Sequence, residues 1–525
     1  LNGGANALTI AGAADIDGDY TGLSSLTVNG TANIGANVTT TGAQTYTGAV
    51  TVSAASTLST TNSNVTFGNA LTLGENLTVN TGAGAGDISV TGAIDGAKAL
   101  SLSAGTGAIS LSETLGQTTR LGAVTLNSSG ATTLAKAVTA ASLTTDTGGS
   151  LVINGGSVDT TGAQTYGEAI TLGANTSLTT NNNHVTFSNT VNSDAGQSRA
   201  LTLALGSGQA TFGGEVGGSQ ALGAIDITGA LDLNAAVAGA ASLTVSGTSD
   251  LGASVTTNGA QGYNGAVTVS AASTLSTTNS NVTFGNALTL GENLTVNTGA
   301  GAGDISVTGA IDGAKALSLS AGTGAISLSE TLGQTTRLGA VTLNSSGATT
   351  LAKAVTAASL TTDTGGSLVI NGGSVDTTGA QTYGEAITLG ANTTLTGTTI
   401  HTQSTLNGGA NALTIAGAAD IDGDYTGLSS LSITGASNLG ANVTTTGAQT
   451  YTGAVTLSGG ARTLTGESIN TRSTLNGGGN ALTITGAADI DGDYTDLSSL
   501  SITGASNIGA NVTTTGAQTY TGAVT

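Results

Sequence analysis

The chain has 525 residues and a net charge of −21; 84 residues are Gly, only 7% are charged, and Pro, Cys, Met and Trp are absent. Without Cys there are no disulfides or thiolate metal sites, and no run of about 18 apolar residues exists to cross a bilayer as a helix. The nine Lys and Arg are scattered between Lys98 and Arg472, which argues against nucleic acid and anionic membranes as partners, since both need clustered cations.

In chain order, residues 1–41 open with Leu1-Asn2-Gly3-Gly4 and carry Asp15, Asp17 and Asp19, then a Thr-rich approach. Residues 42–176 form a long block that begins with Gly42-Ala43-Gln44-Thr45-Tyr46, a phrase returning at 162, 259, 379, 447 and 516. Residues 177–264 are the most individual stretch. The segment 48–176 then reappears unchanged at 265–393. From about Thr394 the chain switches to a unit of the opening type, which starts at Leu406 and again at Leu475. The internal repeats are therefore 48–176 with 265–393, and 1–51 with 406–456 and 475–525. The last copy breaks off where earlier ones run on, so we read the chain as a segment of a longer protein.

Beneath these blocks runs a shorter pulse. Apolar pairs with one residue between them, such as Val50/Val52, Leu71/Leu73 and Ile88/Val90, recur at roughly 20–23 residues or half that spacing, the mark of a solenoid. Alternation sends one side of each short strand inward. Such strands cannot bury enough surface alone, but stacked turn on turn they form a continuous thin core. Gly, Asn, Asp, Ser and Thr turn the chain between them. The predicted fold is all-β, a right-handed parallel β-helix (β-solenoid) without helices, running through residues 1–525 as a single continuous rod. At ~22 residues per turn and ~4.8 Å rise it would hold roughly two dozen turns over on the order of 110–120 Å.

Few residues suggest chemistry. The triplets Asp15/Asp17/Asp19, Asp420/Asp422/Asp424 and Asp489/Asp491/Asp493 read first as solvated acidic turns, with Ca²⁺ binding as the alternative. They lack the Gly and Glu that an EF-hand loop requires at its sixth and twelfth positions; counted from Asp15 those are Tyr20 and Leu26. His184 and His401 stand alone in sequence, with nothing nearby to complete a metal or catalytic set. The tyrosines of the recurring phrase, Tyr46, Tyr166, Tyr263, Tyr383, Tyr451 and Tyr520, are expected to fill corners with a partnered hydroxyl rather than to form a series of sugar contacts. Thr residues mostly alternate with core Val or Leu, as ordinary outward strand positions do, which weighs against ice binding. No catalytic or other cofactor-binding residue is identified.

The Leu-Thr-Val and Leu-Thr-Ile strands, the Asn-Gly-Gly turns, the Gly-Ala-Gln-Thr-Tyr returns, the missing Cys and the few charges resemble the repeat regions of large Gram-negative exoproteins. These are the filamentous-haemagglutinin-like adhesins of two-partner secretion and related autotransporter passengers. The resemblance implies a right-handed parallel β-helix outside the cell, a stalk or filament in adhesion or biofilm, and it supplies no site residue. The expected function is an extracellular structural or adhesive filament, not an enzyme. Expected partners are further copies, end to end or laterally, and glycans or proteins of a neighbouring surface. The alternative from another class is a β-helical polysaccharide-degrading enzyme, which needs converging carboxylates; only residues 177–264 could host a unique site of that kind.

Overall fold

The computed structural model describes residues 1–525 and is all-β, with no helix; none is therefore long and apolar enough to cross a membrane. Parallel strands stack into a β-solenoid of about 26 turns. The chain divides into two compact units, residues 1–265 and residues 266–525.

In the first unit most strands are very short. Val50–Val52 and Leu71–Leu73 each show the pattern buried, exposed, buried. A two-residue side-chain period leaves such a strand only its two outer residues for the core. Register supplies the rest. Ala14 pairs with Ala32, Ala32 with Val50, Val50 with Leu71 and Leu71 with Ile94, so one apolar column climbs through five strands. A second column runs Leu26, Gln44, Val65, Ile88, Ile109. A third runs Leu77, Leu100, Val124, Leu143, Gln164. Each turn thus lays down three short strands, and each buried Val, Leu or Ile contributes about 1.5–3 kcal/mol.

The turns are less uniform than the 20–23-residue pulse suggests. Partners on successive turns lie 18 residues apart at Asp15 and Asn33, 23 at Glu75 and Lys98, and 25 at Asn175 and Ala200. Extra residues are taken up at corners, where they leave the strands undisturbed. Gly48 marks a corner that admits no side chain: a Cβ there would sit 2.3 Å from Gly30 O on the preceding turn. Gly48→Ala should force the backbones of two turns apart and cost about 1–3 kcal/mol. Amide hydrogen exchange at residues 28–52 should show the loss locally, and unchanged protection there would contradict it.

The recurring phrase is a piece of internal carpentry. Gln44 is fully buried. Its amide donates to Val38 O at 3.1 Å and to Ser59 O at 2.9 Å, while its Oε1 accepts from Tyr46 OH at 3.1 Å. Gln164 and Tyr166 repeat this arrangement. Each ring heads an aromatic stack along the axis: Tyr46 on Phe67 at 5.3 Å, and Tyr166 on Phe187 on Phe212 at 5.4 and 5.0 Å between centroids.

In the second unit the duplicated block reproduces the strand pairing and ion pairs of the first, while Tyr383 meets Thr402 on the next turn where Tyr166 meets Phe187. Val267–Val269 pairs with Leu288–Leu290, and Lys315 meets Glu292 at 2.7 Å as Lys98 meets Glu75 at 2.9 Å. Beyond it the Asp-rich units return to 18-residue turns, as between Asp420 and Asn438.

Candidate functional site

The three Asp triplets sit on the outside of the solenoid. Within Ala14–Ile16 the pattern is buried, exposed, buried, so Asp15 points out between two core residues. Its carboxylate accepts from Asn33 Nδ2 at 2.7 Å, and Asp19 accepts from the backbone and side chain of Asn37 at 3.1 and 3.2 Å. Asp17 is exposed in the intervening turn. The later copies repeat the scheme: Asp420 with Asn438, Asp424 with Asn442, Asp489 with Asn507, and Asp493 with Asn511. The first and third carboxylates of each triplet are thus each engaged with an Asn of the next turn.

Between copies, what differs is the side chain delivered by the preceding turn. His401 pairs in register with Asp420. Its Nε2 lies 2.8 Å from Asp422 Oδ2 and 3.6 Å from Asp420 Oδ2. Stacking therefore assembles a set that sequence proximity does not show, with one donor atom from each residue within 4.8 Å of the others. An imidazole with two carboxylates suits Zn²⁺ or a similar borderline metal better than Ca²⁺, which prefers oxygen alone. In the following copy Arg472 takes this role, its Nη1 bonding Asp489 at 2.9 Å and also Asp491. The acidic pair is met by a protein cation in one copy and by a titratable ring in the other. His184 is simpler: its Nδ1 accepts from Gln209 N–H at 3.2 Å on the next turn.

Tyr46, Tyr166, Tyr263, Tyr383 and Tyr451 are completely buried, and burial pushes their hydroxyls well above the ordinary phenol range. Tyr520, on the last turn, is only partly covered. In the first unit these rings do not even share a column. Tyr46 belongs with Phe67 and Val90, Tyr166 with Phe187 and Phe212, and Tyr263 with Val245 and Ile227. The corner-filling expectation holds for the five buried rings.

The Thr expectation needs amendment. Thr57, Thr78, Ser101, Thr125, Thr144 and Thr165 are distant in sequence but pair in register on successive turns. They form an outward hydroxyl rank at the strand spacing of ~4.8 Å, which a reading along the chain cannot reveal.

Sequence reasoning passed over the most unusual group. Where residues 46–50 read Tyr-Thr-Gly-Ala-Val, residues 166–170 read Tyr-Gly-Glu-Ala-Ile. The tight corner moves to Gly167, whose Cβ would meet Asp146 O at 2.2 Å, and Glu168 beside it is 0% exposed. No N–H reaches either carboxyl oxygen; its polar neighbours are Asp146, with which the protonated carboxyl shares a hydrogen bond, and the buried Thr132 hydroxyl. Burial, then the neighbouring Asp146, pushes the Glu168 carboxyl up to about 8. Asp146 is itself only half-buried and accepts from Ser128 N–H at 3.1 Å. In the second unit Glu385, 1% exposed, repeats this beside Asp363, with its carboxyl pushed up to about 9. The exchange of Thr-Gly for Gly-Glu in two of the phrase's copies was the available signal.

Compared with protein-family models, with curated proteins and with solved structures, the chain matches none. What stands is a β-helical repeat protein.

Proposed function

We propose that this chain is a spacer: the repeat segment of an extracellular filament or stalk of the filamentous-haemagglutinin-like kind, holding a cell surface to glycans, proteins or further copies beyond it. One observation carries the reading. A 129-residue block occurs twice, and both copies fold alike down to their ion pairs, so turns can be added without altering local structure. That is what a part selected for length requires. The cations support the same view. Lys98, Arg120, Arg199, Lys315, Arg337 and Arg472 are engaged with carboxylates of the chain itself, and Arg462 with the carbonyls of Leu439 and Ser458. Little positive charge is left for a nucleic acid or an anionic membrane. The outward hydroxyl rank offers hydrogen-bonding edges to glycans or to a neighbouring fibre. A glycan-cleaving role is disfavoured because Glu168, the carboxyl with the perturbed acidity such chemistry needs, is sealed from any polymer.

Deleting residues 48–264 joins Thr47 to a segment identical to the one it normally precedes, so the strand register continues unbroken. The variant should keep the wild-type circular dichroism and melting midpoint. By scattering or electron microscopy it should shorten by on the order of 50 Å, about 11 turns at ~4.8 Å. Displayed on cells, it should attach less well across a thick glycocalyx and equally well to a bare surface. Loss of folding, or release of reducing ends from a panel of acidic glycans, would overturn the proposal.

A further inference from the structure

The Asp triplets are not where this chain buries its carboxylates. At one corner in each unit a carboxyl side chain lies inside the solenoid, where its charged form has no N–H donor and its nearest polar neighbour is another carboxylate: Glu168 beside Asp146, with Thr132, and Glu385 beside Asp363. Desolvating a carboxylate without compensation is strongly unfavourable. In both copies of the block a charged carboxyl at this corner therefore calls for a cation beside it, either a proton or a metal ion.

We propose that Glu168, Asp146 and Thr132, and likewise Glu385, Asp363 and Thr349, form two equivalent sites for a hard divalent cation, with Ca²⁺ as the ion of best fit. The donors are two carboxyl groups and a hydroxyl; no nitrogen or sulfur ligand takes part, which excludes the softer metals in favour of oxygen-seeking ones. Two carboxylates can supply up to four oxygens and Thr132 a fifth, leaving the remaining positions to water. Water has a way in. Asp146 lines a surface cleft of about 240 Å³ with Ser103, Asn127, Ser128 and Ser129, and Asp363 lines its counterpart of about 210 Å³. The ligands come from three separate strands and corners, 14 and 22 residues apart, so no contiguous calcium-loop pattern would betray them.

The competing occupant is a proton, the smallest cation able to neutralise Glu168. Titration calorimetry with CaCl₂ at about pH 7.5 separates the two. The wild-type chain should take up two Ca²⁺ that the E168Q/E385Q variant does not, with a melting point raised by several degrees. Repeating the titration in buffers of different ionisation heat should show proton release on binding, a readout that adventitious surface sites would not give. T132V/T349V should keep both sites at an affinity several-fold weaker. Equal Ca²⁺ uptake by wild type and the Gln variant, or no uptake at millimolar Ca²⁺, would overturn the proposal and leave the proton as occupant. If the Gln variant fails to fold, the Val variant decides: unchanged affinity would sink the site.

Discussion

In calcium-free buffer the wild-type chain should melt at progressively lower temperature as the pH is raised from 5 to 9, while E168Q/E385Q should hold nearly constant. The Glu168 and Glu385 carboxyls are raised from 4.5 to about 8 and about 9 in the fold. The folded chain therefore binds more protons than the unfolded chain between those limits, and stability falls with pH there. The contribution is complete below about pH 4.5 and is lost as the pH climbs through 8 for the first unit and 9 for the second. A tenfold difference in proton affinity between folded and unfolded chain is worth about 1.4 kcal/mol, so each site stands to lose on the order of 5 kcal/mol by pH 9. In a solenoid that loss is local, and hydrogen exchange around residues 126–172 and 343–389 should accelerate first. A Gln at either position carries no charge to desolvate and should flatten the profile at that corner. A wild-type profile that rises or stays level from pH 5 to 9 would show that these carboxyls are solvated in the native state.

Replacing Gln164 by Leu should destabilise the turn by about 2–4 kcal/mol, although it exchanges a polar side chain for an apolar one in a buried position. The amide donates to Val158 O and Thr179 O at 3.2 and 2.9 Å, and its oxygen accepts from Tyr166 OH at 2.8 Å. Removing it strands a buried hydroxyl and weakens the bonding of two carbonyls, and each unsatisfied group costs about 1–3 kcal/mol. Tyr166→Phe alone should cost about 1 kcal/mol. The pair Q164L/Y166F should cost less than the two single changes added together, because the orphaned hydroxyl is gone; a coupling of about 0.5–3 kcal/mol is usual for groups in contact. Urea unfolding of the four proteins measures it. Strict additivity would mean that the Gln–Tyr bond does not hold this corner. The same cycle at Gln381 and Tyr383, where the bond is 2.7 Å, should give the same result.

Fold class was legible along the chain, because strand alternation and turn chemistry are local properties and here recur many times over. Val50-Thr51-Val52 can be read as in, out, in without knowing what lies above it. The duplicated blocks, the absence of helices and the burial of the phrase tyrosines followed from the same one-dimensional reading. Which turn sits on which emerged only in three dimensions. That stacking brought His401 to Asp420 and Asp422, aligned Thr57 with Thr78 and Ser101, and closed Thr132, Asp146 and Glu168 around a single buried corner. Matching positions on successive turns are separated by 18 residues in one place and 25 in another. A fixed period therefore cannot say which side chains meet. Register is set by how many residues each corner absorbs, and that depends on close backbone approaches such as Gly48 against Gly30, which exist only once the turns are in contact.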